Sequence, residues 1–422
     1  MSYTFENGRV IGGIGSFGGT VFAENALLVK DASGDAACSF DCTDMYIFPG
    51  FLDVHVHLRE PGFSYKETID SATRAAAAGG YAAVCSMPNV NPPPDSRESL
   101  QVQLNLIERD ARICVLPYGT ITEKRAGLAL SDMEGIADRV VAFTDDGSGI
   151  QDEELMRAAM KKAKALGKII AAHCEDMALV GGGCIHDGAF ARKHGYRGIS
   201  SASEFKQVER DLALVRETGC AYHVCHVSTK ESVALIRQAK REGLDVTCET
   251  APHYLILNDE MLCEDGRFKM NPPIRSEEDR LALLEGILDG TVDMIATDHA
   301  PHSLEEKARG LENSAFGITG IEFAFPLLYT HLVQKGVVSI EKLVDLFSTA
   351  PKKRFGIKGA ADLTVFDPNA KTTIDPDKLI SRGKSTPFAG WELAGNCVLT
   401  VCGGQIVYDD GRLPRKKTFG RK

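Results

Sequence analysis

The chain has 422 residues, 44% hydrophobic and 25% charged, with a formal net charge of −10. This is the composition of a globular protein, and its acidity excludes a general nucleic-acid binder, which needs a basic face. No apolar run approaches the roughly 18 residues of a membrane span, and the opening MSYTFENGRV lacks a signal-peptide pattern, so no membrane partner and a cytoplasmic location are expected.

Residues 1–47 are rich in glycine, with short strand-like pieces such as 26–30. Apolar, β-branched runs then recur at 46–57, 82–87, 113–119, 140–144, 168–173, 221–226, 245–250 and 292–297. Helical patterns lie between or after them at 66–78, 152–166, 204–218, 229–242, 277–288 and 322–334, several with polar caps at the start and glycine at the end. Eight strands alternating with helices predict a (β/α)₈ TIM-type barrel over 48–356. The flanks, 1–47 and 357–422, the latter with strand-like runs at 361–367 and 398–409, are each short of core and predict one small composite β domain made by both ends. The basic tail 412–422 reads as a solvated end.

The twelve cysteines are scattered, with no C-x-x-C pair of zinc-ribbon spacing, and Cys85, Cys114, Cys225 and Cys248 lie in apolar runs. Buried free thiols are expected rather than disulfides. Cys174 and Cys225 adjoin histidines and, one position away on a strand, should face the opposite side.

Strand C-terminal ends form the active face of such barrels. His55 and His57 end the first run on one face, Asp145 and Asp146 follow the fourth, His173 ends the fifth, His226 the sixth and Asp298 the eighth. Four imidazoles and at least two carboxylates without a metal would be costly, because buried polar groups need partners. Nitrogen and oxygen donors suit zinc, and there are more of them than one open tetrahedral ion uses, so two ions bridged by a carboxylate and a hydroxide are predicted. Two divalent ions less Asp146, Asp298 and hydroxide leave one positive charge before Arg59 is added, which suits an anionic substrate. Asn89 and Asn271 could each serve as turn residues, but their settings, Met-Pro-Asn and Asn-Pro-Pro, favour function. His253 and His299 are expected to support the site from behind or to be structural; His186, His194, His223 and His331 are read as structural, and Lys161, Lys162 and Lys164 as a solvated helix face.

Taken in order, F-P-G-F-L-D-V-H-V-H-L-R-E-P-G, K-E-T-I, M-P-N, F-T-D-D-G, A-H-C-E-D, C-H-V-S-T-K-E-S, K-M-N-P-P, A-T-D-H-A-P-H and F-G-I-T-G-I-E closely resemble the dihydroorotases of the bacterial class related to allantoinases and hydantoinases, in the amidohydrolase superfamily. The resemblance implies a zinc-dependent barrel that reversibly interconverts N-carbamoyl-L-aspartate and L-dihydroorotate in pyrimidine synthesis. It implies that His55, His57 and Asp298 hold one zinc, that His173 and His226 hold the second, and that Asp146 is the bridge where many relatives use a carboxylated lysine. It further implies Asp298 as general acid and base. His57, Arg59, Asn89, Asn271, His302, Phe316 and Gly317 are the implied substrate contacts. A homodimer is the expected assembly, with aspartate transcarbamoylase as a further expected partner. The alternatives are a hydantoinase or allantoinase, disfavoured by the missing bridging-lysine motif, and a non-catalytic scaffold for the transcarbamoylase, disfavoured by the full ligand set. The chain departs from the family pattern in a short segment at 355–362, in the glycine-rich beginning, and at Tyr254, where histidine is common.

Overall fold

The computed structural model describes residues 3–12, 20–23, 26–29, 38–357 and 362–417. Much of the glycine-rich beginning, residues 358–361 of the short segment and the last five residues of the basic tail fall outside that range.

The predicted barrel forms. Strands Phe51–Val56, Tyr81–Ser86 and Cys114–Pro117 pair in parallel, as do Ile170–Ala172, Tyr222–Val224, Val246–Thr250 and Met294–Ile295. Isolated parallel bridges join the two groups: Phe143 links Gly119 to Ile170, and His299 links to Val56, so the pairing runs round the ring. The fourth and eighth strands are shorter than the sequence predicts, for a local reason. After Phe143 the backbone turns aside, and the Asp145 carboxylate accepts from the N–H groups of Ile121 and Thr122. After Ile295, the Thr297 N–H donates to the Asp53 carboxylate instead of to a neighbouring strand.

The predicted helices recur as Ile69–Ala78, Glu153–Ala165, Ala202–Thr218, Lys230–Arg241 and Glu277–Asp289. Asp152 and Thr229 are their caps rather than their first turns. The last predicted helix is only Ala324–Leu328, running into a π-type turn. A helix absent from the sequence reading, Arg97–Asp110, fills the step between the second and third strands; only Ser99, Leu100 and Gln103 of it are buried, so its apolar stripe is too thin to register as periodicity.

Both chain ends build the second unit. One five-stranded sheet joins Tyr3–Glu6, Ala26–Val29, Thr20–Ala23 and Cys38–Asp41 to Arg415–Lys417; another joins Arg9–Val10 and Tyr46–Pro49 to Leu363–Thr373, Glu392–Cys402 and Gln405–Asp409. Phe5, Phe40, Ile47, Val365 and Leu399 lie in the core these sheets share.

The run 46–57, predicted as one strand, serves two sheets. Tyr46–Pro49 pairs antiparallel with Leu363–Thr373, and Phe51–Val56 enters the barrel. Gly50 is the switch: its N–H donates to Asp362, and its carbonyl accepts from Ser348 Oγ at 2.9 Å and Lys352 Nζ at 2.7 Å. Phe325 packs against Phe48 on one side of the switch and Phe51 on the other, at ring separations of 5.2 and 4.7 Å. A Cβ at Gly50 would stand 2.7 Å from that of Ala82 and 3.0 Å from that of Asp362. Gly50→Ala should therefore lower stability by about 1–3 kcal/mol, read as a lower urea midpoint with unchanged slope; an unchanged midpoint would contradict this account of the switch.

Candidate metal centre and active site

The first barrel strand is irregular just where it carries chemistry. Its register with the second strand shifts between Asp53 and Val56. The buried Asp53 carboxylate accepts from His55 N–H at 3.0 Å and from Thr297 Oγ1 at 2.5 Å, tying the first strand to the eighth. The His57 N–H reaches the His299 carbonyl at 2.9 Å, closing the ring at the mouth.

His55, His57, Asp146, His173, His226 and Asp298 converge there, all at most 5% exposed. His55 Nε2 lies 3.3 Å from Asp146 Oδ1 and 3.5 Å from Asp298 Oδ1. His57 Nε2 lies 3.0 Å from Asp298 Oδ1 and 3.6 Å from Asp146 Oδ2. On the other side, His226 Nε2 and His173 Nδ1 stand 3.4 and 3.7 Å from Asp146 Oδ1, and 2.8 Å from each other. Donors about 2.0–2.1 Å from a tetrahedral zinc stand about 3.3 Å apart, so these spacings fit metal coordination. Asp146 belongs both to the triple with His55 and His57 and to the triple with His173 and His226. His55 Nε2 and Asp146 Oδ1 are buried with no hydrogen-bond partner, an unfavourable state that a cation between them relieves. Burial opposes charge on His55, but Asp146, Asp298 and Glu249 outweigh it and raise its pKa well above the usual imidazole value. The same field draws a divalent cation.

The two aspartates of F-T-D-D-G separate cleanly. Asp145 is turned onto Ile121 and Thr122. Asp146 enters the centre, and its carbonyl accepts from Arg125. Three residues of the mouth hold positive φ: Arg59 at 64°, His226 at 33° and Asp298 at 46°. Non-glycine residues keep such conformations only where the surroundings over-determine them.

Residues missed in the sequence stand behind the ligands. Glu249, in Val246–Thr250, accepts from His55 Nδ1 at 2.7 Å, which leaves Nε2 facing the centre. Its other oxygen lies 3.1 Å from His223 Nε2, and His223 Nδ1 is 2.8 Å from Thr247 Oγ1. Burial opposes the Glu249 charge, but His55 and His223 hold its pKa below the ordinary carboxylate range. His223 is structural as expected, yet it supports this contact. Glu249 and Asp53 were both visible as lone carboxylates inside apolar runs, a combination that requires a partner. On the other imidazole pair, the Glu175 carboxylate lies 3.2 Å from His173 Nε2.

Cys174 faces away, its Sγ 3.4 Å from Tyr222 Oη. Cys225 departs from the expectation: its Sγ lies beside His55 and Glu249. His226 follows the strand Tyr222–Val224 with positive φ, so simple alternation does not govern this pair. Burial raises the Cys225 thiol pKa above its ordinary value. All cysteines of the described residues are free thiols.

A cavity of about 230 Å³ opens on the centre, lined among others by His57, Arg59, Asn89, Asn271, His302 and Phe316. Arg59 donates through Nε to the Pro301 carbonyl at 3.0 Å, and its Nη2 lies 3.2 Å from His302 Nε2. Burial lowers its pKa to about 10, leaving it charged near neutrality. Asn89 Oδ1 accepts from His57 Nδ1 at 2.8 Å, turning Nε2 of that imidazole inward. Asn271 Oδ1 is buried without a partner. His302 Nε2 lies 2.9 Å from the Phe316 carbonyl. Gly317 stands behind the lining: its N–H donates to Lys269 and its carbonyl accepts from Lys307. His299 Nδ1 accepts from Gly320 N–H, and burial lowers His253 to about 4. Tyr254 donates from its hydroxyl to the Pro272 carbonyl at 2.6 Å, beside Asn271.

Comparison with known proteins bears on this geometry. Residues 45–232 match a family model described as dihydro-orotase-like. A dihydroorotase of Bacillus cereus is 48% identical over 97% of this chain and 98% of its own length, and one of Bacillus thuringiensis is 47% identical over the same shares. Among solved structures, an L-hydantoinase (dihydropyrimidinase) from Arthrobacter aurescens superposes with a TM-score of 0.82 at 25% identity, covering 98% of this chain and 97% of its own. A dihydropyrimidinase from Brevibacillus agri gives 0.81 at 22%, covering 98% and 96%, and supports the fold alone.

Replacing Glu249 with alanine should weaken divalent-metal affinity about 10–100-fold, since outer partners of metal ligands carry that much. Competition against a chromogenic chelator measures it; unaltered affinity would contradict the orienting role. With near-full-length relatives at this identity, the chain belongs to the dihydroorotase family.

Proposed function

We propose that the chain interconverts N-carbamoyl-L-aspartate and L-dihydroorotate at this mouth, using two zinc ions. The observation that carries the reading is a buried, charged Arg59 opening into the same cavity as a carboxylate shared by two imidazole pairs. His55, His57 and Asp298 would hold one ion, His173 and His226 the other, with Asp146 between them. Bound there, zinc would supply an ionised water nucleophile near neutral pH and an electrophile for the amide carbonyl.

The chain's own groups supply the rest. Arg59 receives the substrate carboxylate in a charge-assisted contact, with Asn89, Asn271 and His302 around it and the Phe316–Gly317 backbone closing the side. His57 would both hold an ion and line the cavity beside Arg59. In ring opening, the water oxygen bonds to the ring carbonyl carbon and the carbon–nitrogen bond breaks. Asp298 accepts a proton from the water and returns it to the departing nitrogen; ring closure is the reverse. Glu249 alters the expected charge balance. Its carboxylate and that of Glu175, 3.2 Å from His173, add two negative charges to the single positive charge predicted for the loaded centre, so Arg59 is the positive charge left facing the anionic substrate.

The reading extends to a cytoplasmic enzyme with the chemistry in a barrel unit, residues 48–356, a β unit from 1–47 and 357–422, and a homodimeric assembly able to associate with aspartate transcarbamoylase. Among the described residues no helix is long and apolar enough to cross a membrane. A hydantoinase reading is weaker: the likeness to a solved hydantoinase is 25%, against 48% to a dihydroorotase.

Asp298→Asn should lower kcat roughly 10²–10⁴-fold while substrate affinity stays within a few-fold; near-normal turnover would contradict its role as base. Arg59→Met should raise KM for dihydroorotate about 10–100-fold. Parallel assays with hydantoin and allantoin test the substrate class, and preference for either would overturn it.

A further inference from the structure

Lys307 is 5% exposed, in the short helix Leu304–Lys307 beside the mouth. Its Nζ donates to three backbone carbonyls: Lys269 at 3.0 Å, Ala315 at 2.8 Å and Gly317 at 2.8 Å. An ammonium has three donors, and all three are spent on main chain. The carbonyls come from two segments, one of them the 315–317 turn that bears Phe316. The Gly317 N–H returns to the Lys269 carbonyl at 3.0 Å, so Lys307 and Gly317 share that acceptor and knot the two segments together. Gly317 itself has φ 152°, and a Cβ there would stand 2.3 Å from the Ala300 carbonyl, so the turn has one way to sit.

From this knot a short chain of contacts leads to the substrate. The Phe316 carbonyl accepts from His302 Nε2 at 2.9 Å, and because that nitrogen then carries its proton, Arg59 Nη2, 3.2 Å from it, is in packing contact only, the ring limiting where the guanidinium can lie. Lys66 and Glu306 each approach the other imidazole nitrogen, Nδ1, to 3.3 Å. Burial and the charges of Arg59 and Lys66 lower the His302 pKa to about 3, so this ring is neutral and its Nε2–H is free to donate to Phe316.

Resting on the dihydroorotate reading above, we infer that Lys307 is a positioning residue for substrate affinity: its charged form fixes the 315–317 turn, and through Phe316 and His302 it sets Arg59 for the substrate carboxylate. The groups around it give it no anionic partner. Lys269 faces it with its own positive charge, while Asp265 is paired with Arg267 and Glu306 with Lys66. The Lys269 ammonium is directed to the Glu312 carbonyl at 2.6 Å and lies over the Phe316 ring at 4.4 Å. Burial, with Lys269 adding to it, brings the Lys307 pKa down to about 7. The charged knot therefore holds below that pH and loosens above it.

Steady-state kinetics of dihydroorotate hydrolysis from pH 6 to 9 test this, on wild type, K307M and K307R at matched metal content. K307M should raise KM about tenfold or more, with kcat within about threefold and metal content unchanged. Wild-type KM should climb above pH 7, by roughly fivefold at pH 8 for a group with that pKa whose neutral form binds tenfold more weakly, whereas K307R, charged throughout, should lack the climb. A K307M enzyme with wild-type KM, or K307R and wild-type profiles that rise in parallel, overturns the inference. If K307M does not fold, the K307R comparison decides alone. Wild-type protein that does not turn over dihydroorotate overturns the substrate reading, and this inference with it.

Discussion

Four imidazoles and two carboxylates share the buried mouth of this barrel, and their mutual satisfaction is the constraint on which the rest of the structure depends. Buried polar groups without partners cost more than most folds can tolerate. Here the hydrogen bonds of the protein satisfy the outward nitrogens of His55 and His57, through Glu249 and Asn89, and leave His55 Nε2 and Asp146 Oδ1 unpaired. The unpaired atoms face one another. Such a centre is incomplete as protein alone and complete with cations, which is why the metal reading follows from energetics as well as from residue type.

The scaffold gives up regular structure to build that arrangement. The first strand slips register beside Asp53, the fourth reduces to a single bridged residue, and the eighth ends after two residues. Each irregularity sends a backbone N–H to an aspartate side chain: His55 and Thr297 to Asp53, Ile121 and Thr122 to Asp145. The positive φ values of Arg59, His226 and Asp298 belong to the same pattern. Local strain of this kind persists only against a rigid background, here the packed barrel interior and the aromatic cluster around Phe325 that joins barrel to β sheets.

The sequence made the cluster of four histidines and two aspartates legible because each lies at or just past a strand end, where periodicity and motif coincide. The same alternation misjudged Cys225, since His226 lies beyond the strand and turns through positive φ. It also merged 46–57 into one strand, because apolar character is continuous across Gly50 while the change of sheet depends on a contact with Asp362, over three hundred residues away. Glu249 and Lys307 were overlooked for a related reason. What each does depends on partners from separate strands and turns; the sequence shows only a glutamate inside an apolar run and a lysine inside the polar run 305–309.

Anomalous diffraction at the zinc edge, from crystals of the protein as purified, tests the proposed two-ion centre bridged by Asp146. Two peaks are expected, one against His55 and His57 and one against His173 and His226, with the Asp146 carboxylate between them. A single peak, or two peaks with Asp146 turned away, would contradict it.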